Sequence, residues 1–479
     1  MVTSFDPQTA TTSPSRRRRW LIGLGLLVLP LLIAWGMHHT YDRHHITELQ
    51  RLMTELDRTD PNWRLHDLEA ARAPIPDAEN SALVATAAAR LLPNNWPAPK
   101  LSEALEKLSP PVLLDDSQAT LLRKELEDRQ PALEVARKLA GMPNGRHPLE
   151  INPNPLMTLL EPQQKVRSTT NLLHYDAILR AHDGDMSGAM SACAAAINAG
   201  RSLGDEPFAI SQLIRIACIA VGCQTLERVL AQGEPEPEDL ERLQSLLQQE
   251  DAHSTQAIIW RGERAMQQAT FEGLEKGTIK LDQLISNFRL DQSPLEHLAF
   301  RLRVNYANDH ALMLSLMNRG IATTRLPSHQ QAAAEKELIA EVRRQAERAV
   351  LVRLLFPALE KVSEAARRKQ AQVRCMMTTL AVERYRQAHG SWPETLNQLV
   401  PEMLAAVPLD PFDGEPLRYV KVADGIIVYT IGVDGVDNGG VLDRENPIRP
   451  GADLGFRLWD VKSRRQPAPP KPVVPVEGN

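Results

Sequence analysis

Histidine and aspartate side chains near the N-terminus have a spacing that could hold a metal ion. The pairs His38-His39 and His44-His45 flank Asp42. On a helix, His38, Asp42 and His45 would share one face, and imidazole with carboxylate suits a divalent metal. The alternative is a set of ordinary polar residues at the edge of a membrane segment, and the sequence leaves both readings open.

The four cysteines could form disulfides or bind zinc, and their spacing favours neither. Cys193, Cys218, Cys223 and Cys375 lie in Ala- and Leu-rich stretches of helical character. Cys218 and Cys223 would point in different directions on one helix, and no pair has the spacing of a zinc or redox motif. We expect small buried apolar side chains. A bridge between distant cysteines stays open in an oxidising compartment.

Recognisable catalytic motifs are absent from the sequence. It contains no Gly-x-Ser-x-Gly, His-Glu-x-x-His, P-loop or dinucleotide fingerprint. The charged stretches Glu263-Arg264, Glu347-Arg348 and Arg367–Lys369 indicate solvated helix faces with surface ion pairs. The net charge of -5 over 479 residues gives no electrostatic reason to expect a nucleic-acid partner.

A long uncharged run follows four arginines near the N-terminus. Arg16–Arg19 precede the run from Trp20 to Met37, which as a helix would rise roughly 27 Å, close to the hydrocarbon thickness of a bilayer. Arginines stay on the cytoplasmic side. The segment therefore predicts a single-pass anchor in a bacterial inner membrane, with the bulk of the chain outside the cytoplasm. A signal peptide cleaved near Ala34–Gly36 is the alternative.

Helical patterns dominate residues 38–356. The composition is 43% hydrophobic but only 4% aromatic, which suits helix-on-helix packing better than β-sandwiches. Gly184–Ala189 resembles the turn between the helices of a tetratricopeptide-type repeat, but no period near 34 residues recurs clearly. We therefore predict a mainly α protein with a large α-helical domain, solenoid-like or a bundle.

The pattern changes after a long helix predicted from Pro357 to His389. Gly390 follows it, a common helix C-terminal cap. Asp424-Gly425, which is typical of a hairpin turn, separates the first two of three β-like runs. The runs are Leu417–Val422, Gly425–Ile431 and Leu454–Trp459. We expect a small C-terminal α+β module, followed by a Pro-rich disordered tail over 464–479.

Four elements of this region occur in an order shared with a known family. They are a helix running into Gly390-Ser-Trp-Pro393, the stretch Pro408–Gly414, the loop Tyr429–Gly435, and Asp453–Trp459. Together they resemble the soluble domain of bacterial type II secretion major pseudopilins, over less than a fifth of the chain. The prepilin-peptidase site of that family is missing before the apolar run, so we do not expect a polymerising pilin subunit. The whole chain also resembles uncharacterised membrane-anchored bacterial proteins.

The pseudopilin resemblance implies a calcium site. In that family the loop after the Gly-x-Asp-Gly motif binds Ca²⁺, and the matching loop here carries Asp434, Asp437 and Asp443, with Asp453 further on. Calcium prefers several hard oxygen ligands, and glycines let a loop turn its carbonyls inward. The alternative is a set of Asx turns, in which the carboxylates accept hydrogen bonds from backbone N–H groups.

The sequence thus predicts five segments and a non-enzymatic role. The segments are a disordered cytoplasmic tail (1–15), a transmembrane anchor (16–37), a helical domain (38–356), the long helix with the pseudopilin-like module (357–463), and the tail (464–479). We expect an envelope protein that acts as an interaction or scaffold module for a protein partner, linked to secretion or cell-surface assembly. The alternative is an extracytoplasmic hydrolase with its site in the helical domain.

Overall fold

The computed structural model describes residues 43–105, 107–282, 304–345, 349–356 and 358–468, together with Leu29 and Leu284. Within these residues the chain is mainly helical, with a three-stranded antiparallel sheet near the C-terminus. The predicted mainly α fold class with a small C-terminal sheet is therefore confirmed. Apart from Leu29, the predicted anchor at 16–37 lies outside the described residues.

The described helices vary in length from 6 to 32 residues. Their bounds are 43–59 (α1), Leu65–Ala70 (α2), Ser81–Arg90 (α3), Pro99–Leu105 (α4), Asp116–Glu127 (α5), Gln130–Arg137 (α6), Glu161–Asp183 (α7), Met186–Arg201 (α8), Ala209–Leu230 (α9), Pro237–Asp251 (α10), Thr255–Glu275 (α11), Tyr306–Thr323 (α12), Ser328–Gln345 (α13), Val350–Leu355 (α14) and Ala358–His389 (α15).

Two glycines set the ends of helices where the sequence predicted them. Gly184 ends α7 with a φ of +85°, a left-handed conformation that glycine adopts without strain. Asp185 then begins α8, and its carboxylate accepts the N–H of Gly188. Gly390 adopts a φ of +74° directly after α15. The predicted helical hairpin and the predicted end of the long helix are both confirmed.

The sheet forms by two antiparallel pairings in the order β1-β2-β3. Its strands are Arg418–Val422 (β1), Gly425–Thr430 (β2) and Leu454–Trp459 (β3). Val422 pairs with Gly425 across a two-residue turn, as the Asp-Gly signal predicts. The central strand β2 is buried along its whole length, because it has a partner strand on each side and packs against α15.

The sheet and the helical body share one hydrophobic core. A single cluster of buried side chains includes Cys193 on α8, Leu226 on α9, Leu243 on α10, Met376 on α15 and Phe456 on β3. The long helix α15 lies between the sheet and the helices, and it contacts both. The C-terminal module is therefore packed onto the body, while the predicted division of the chain into domains stays a prediction.

Several side chains predicted on solvated helix faces are buried. Glu263, Arg264, Arg367 and Lys369 all lie inside the fold, because helices α11 and α15 are covered by neighbouring elements along these positions. Arg367 Nη2 lies 2.7 Å from Glu335 Oε2. The prediction of solvated faces is wrong for these four residues. The pair at 347–348 lies outside the described residues.

The chain beyond the sheet folds back onto the helical body as a C-terminal strap, Arg464–Gln466. The guanidinium of Arg464 donates to the Glu383 carboxylate at 2.8 and 3.1 Å. Gln466 N–H donates to Pro111 O at 2.7 Å, and Gln466 O accepts Leu113 N–H at 2.8 Å. The first residues of the predicted disordered tail are thus held in place, and residues 469–479 lie outside the described part.

Among the described residues, one helix is long and apolar enough to cross a membrane. It is α9, and 56% of its most apolar window is buried inside the fold. A core helix of a soluble domain meets the same criterion of length and composition. Since α9 packs against α7, α8 and α15, we assign it to the core of the helical body.

Candidate functional site

All four aspartates predicted to bind calcium accept hydrogen bonds from backbone N–H groups. They lie in or at the end of the Asp-rich loop, residues 431–453, which connects β2 to β3. Asp434 accepts the N–H groups of Val436 and Gly451 at 3.0 and 2.8 Å, and these bonds lower the pKa of its carboxyl. Asp453 is buried and accepts three N–H groups. Their donors are Asn438, Gly440 and Val441.

The other two aspartates also pair with arginines. Asp437 Oδ2 lies 3.0 Å from Arg418 Nε, and its Oδ1 accepts the Tyr429 hydroxyl at 3.1 Å. Asp443 accepts the N–H of Asn446 and pairs with Arg449, and both contacts lower its pKa. These contacts match the Asx-turn alternative that the sequence leaves open.

The predicted calcium ligands do not converge on one point. Within the described ranges, no group of three or more His, Cys, Asp or Glu side chains could hold a metal ion. The carboxylates as arranged do not fit a common cation site, so calcium binding stays a prediction. The N-terminal histidine face also stays untested, because His38, His39 and Asp42 lie outside the described residues.

All four cysteines are buried free thiols, as the sequence predicts for small apolar side chains. Burial raises the pKa of Cys218 to about 11 and that of Cys223 to about 12. A thiol is a nucleophile only as the thiolate. The cysteines are therefore packing residues, and none of them joins the site described next.

A cleft of about 370 Å³ lies between the helical body and the Asp-rich loop. Helices α7, α9 and α15 form its floor, and loop residues 442–447 and strand β3 form the opposite wall. The apolar part of its lining includes Leu105, Leu108, Ile178, Leu442 and Phe456. We call this space the interdomain cleft.

His174 lines the cleft as a neutral hydrogen-bond acceptor. Its Nδ1 lies 2.7 Å from Thr225 Oγ1. The Thr225 hydroxyl donates a hydrogen bond to Val221 O at 2.6 Å. Thr225 Oγ1 therefore accepts a hydrogen bond from the N–H at His174 Nδ1, and the other ring nitrogen, Nε2, carries the lone pair. Burial, together with the positive charge of Arg228, lowers the pKa of His174 to about 4.

The charged residues of the cleft wall are engaged within the protein. Glu227 accepts Arg444 Nη2 at 2.6 Å and the Arg457 backbone N–H at 2.9 Å. Arg228 donates to Ser109 O and Val112 O at 3.1 and 2.9 Å, and burial lowers its pKa to about 10. Glu227 is thus paired with a cation, and the Arg228 guanidinium is held in place by two backbone carbonyls.

Two amide side chains in the cleft are free to bind. Gln224 is exposed and Gln372 is half-buried, and both line the cleft. Neither side chain makes a hydrogen bond to another described residue. An amide can donate two hydrogen bonds and accept two. The cleft thus offers apolar walls with a few free, uncharged polar groups, which is a typical lining for a binding site.

Sequence reasoning found two residues of this cleft and missed the rest. Asp443 and Asp453 were singled out for calcium, and they instead hold the shape of the loop that forms one wall. No local sequence motif marks His174, Gln224 or Gln372 as cleft residues, because the floor of the cleft forms only when the fold brings three separate helices together.

Comparisons with known proteins identify no relative of this chain. No protein-family model, no curated protein and no solved structure matches the chain. The resemblance of the C-terminal region to pseudopilins stays a prediction, and the functional argument depends on the geometry of the cleft.

Proposed function

We propose that the protein is a non-enzymatic, membrane-anchored envelope protein that binds a segment of a partner protein in the interdomain cleft. One observation carries the proposal: the charged side chains of the cleft are tied to internal partners, while Gln224 and Gln372 are free. The apolar run at 20–37 beside four arginines supports the anchor and the extracytoplasmic position of the cleft.

The chemistry of the cleft favours an uncharged, extended peptide as its occupant. Free amides can pair with the N–H and C=O groups of a peptide backbone, and the apolar walls can take its side chains. A charged ligand would find Glu227 already paired with Arg444 at 2.6 Å and the Arg228 guanidinium engaged by the carbonyls of Ser109 and Val112. Desolvating an unpaired charge would oppose its binding.

A hydrolase is less well supported by the same groups. A general base works best with a pKa near the operating pH, whereas the pKa of His174 is lowered to about 4. The neighbouring hydroxyl of Thr225 donates its hydrogen bond to Val221 O. His174 therefore has no adjacent nucleophile to activate in this arrangement.

Peptide binding can be tested by replacing the two free amides. A phage-displayed library of short uncharged peptides would be selected on the full-length protein in detergent micelles. We expect Gln224→Ala and Gln372→Ala each to weaken the selected peptides about fivefold, the worth of one lost hydrogen bond. Gln248→Ala, at an exposed glutamine on α10 outside the cleft, should leave the affinity unchanged, as measured by titration calorimetry.

Two outcomes would count against this function. If the selection yields no peptide, or if the selected peptides bind all three variants like the wild type, the cleft does not bind peptide backbone. If the protein hydrolyses the peptides and His174→Gln stops the hydrolysis, the enzyme alternative replaces the binding function.

Membrane topology gives a separate prediction. A reporter enzyme that is active only outside the cytoplasm, fused after Asp60, should be active, because Arg16–Arg19 hold the N-terminus in the cytoplasm. The same reporter fused after Ser15, before the arginines, is the control and should be silent. A silent fusion at Asp60 would overturn the proposed orientation and, with it, the envelope location.

A further inference from the structure

A second, polar cavity of about 250 Å³ lies among helices of the helical body and shares no lining residue with the interdomain cleft. It is enclosed by the start of α11, the start of α13 and the middle of α15. The residues that line it include His253, Ser254, Arg367 and Lys369. None of them belongs to the interdomain cleft, so the cavity is a separate site, which we call the polar cavity.

The N-terminus of α11 presents free N–H groups to this cavity. Ser254 is the N-cap residue, but its side chain makes no capping hydrogen bond. The N–H groups of Gln256 and Ala257 in the first turn have no acceptor among the described residues, and both residues line the cavity. A helix of this length carries a partial positive charge at its N-terminus, where such N–H groups favour an anion.

Buried side chains supply a second, independent set of unused donors. Arg367 is only 6% exposed; its Nη2 pairs with Glu335, while its Nε is buried with no hydrogen-bond partner. His253 Nε2 is also buried and unpaired, and it can donate or accept a hydrogen bond because burial lowers the pKa of this histidine to about 3 and keeps the ring neutral. Lys369 donates to Glu250 Oε1 at 3.0 Å and to Glu250 O at 3.3 Å, which leaves one of its three N–H bonds unassigned. Buried polar groups in proteins normally have partners.

Positive charge outweighs negative charge around the cavity. Arg215, Lys369 and Arg367 are buried and face two carboxylates, those of Glu250 and Glu335. The one acidic residue in the described lining, Asp251, is neutralised by Arg374 through both carboxylate oxygens, at 3.0 and 3.1 Å. Buried charges are stable when they are paired. Three buried cations share two carboxylates here, so the remaining positive charge favours the binding of a further anion.

We propose that the polar cavity binds a small oxyanion of the phosphate type, held by the N–H groups of Gln256 and Ala257 and by the side chains of Arg367 and Lys369. Guanidinium and backbone N–H groups match the oxygens of such an anion. A cavity of about 250 Å³ is large enough for an anion that replaces several water molecules.

The substitution Ser254→Asp tests the proposal without removing a structural contact. The new carboxylate can accept the N–H groups of Gln256 and Ala257 as an N-cap and would repel an incoming anion. Titration of the full-length protein with inorganic phosphate, at matched ionic strength in chloride, should show binding to the wild type. We expect Ser254→Asp to weaken that binding at least about tenfold and to unfold at the same or a higher temperature.

A matched control separates this site from a general charge effect. Ser187→Asp places the same charge at an exposed position in the first turn of α8, outside the lining of the polar cavity, and it should bind phosphate like the wild type. No binding of phosphate to the wild type would overturn the proposal. Equal binding by Ser254→Asp and the wild type would also overturn it, because the anion would then lie elsewhere.

Discussion

Replacing Glu250 by alanine is expected to destabilise the protein by about 3–5 kcal/mol. The Glu250 side chain is fully buried, and its carboxylate lies 2.5 Å from Arg215 Nη2 and 3.0 Å from Lys369 Nζ. Burial alone would raise its pKa, but the two neighbouring cations outweigh burial and hold the pKa well below its usual range. Without Glu250, two buried cations would lose their counter-charge.

Denaturant unfolding followed by tryptophan fluorescence would measure this loss. The control is Asp183→Ala, which removes a surface ion pair with Arg123 between α7 and α5. It should cost about 1 kcal/mol or less, because exposed pairs contribute little. If Glu250→Ala proved no more harmful than the control, the three-residue cluster would not be a main contact between α9, α10 and α15.

The stabilising contribution of Glu263 is expected to fall by about 2.5 kcal/mol as the pH rises from about 5 to about 8. Burial raises the pKa of this carboxyl from 4.5 to about 7 in the folded protein, although the Ala209 N–H and Gln267 act against the shift. The folded state therefore favours the protonated form. Its stabilising contribution is complete below about pH 4.5 and is lost as the pH rises through about 7.

Glu263→Gln should remove this contribution, so the difference in stability between the variant and the wild type should depend on pH. The amide carries no charge, so the variant should be about 2.5 kcal/mol more stable than the wild type near pH 8 and nearly equal to it near pH 5. Other buried groups titrate in both proteins, among them Asp309 with a pKa raised to about 6 and His174 with a pKa lowered to about 4, and their effects cancel in this difference. Glu272→Gln, on the same helix but paired with Lys276, is the control and should show no such gain. Equal stability of Glu263→Gln and wild type near pH 8 would contradict the prediction.

Local features of the fold were predictable because their causes are local. Gly184 and Gly390 end helices through their own backbone conformation, and the Asp424-Gly425 turn sets the register of β1 and β2. Each signal acts within a few residues of chain. The strands predicted from these signals agree with the observed strands to within one residue at each end.

The buried charges and the cleft depend on long-range packing and were not predictable in this way. Arg367 and Lys369 follow a pattern that is also typical of a solvated helix face, and only the docking of α15 against α10 and α13 decides their burial. For the same reason, a single sequence shows that Asp443 sits in a loop of turns but not that the loop faces α7 and α9 across a cleft.

The C-terminal strap has a consequence for biosynthesis. Its backbone pairs with Pro111 and Leu113, and the side chain of Arg464 neutralises Glu383. A nascent chain can make these contacts only after Gln466 has left the ribosome, so the segment around Pro111 and Leu113 waits for a part of the chain that is made much later. A domain whose contacts are all close in sequence folds without this delay.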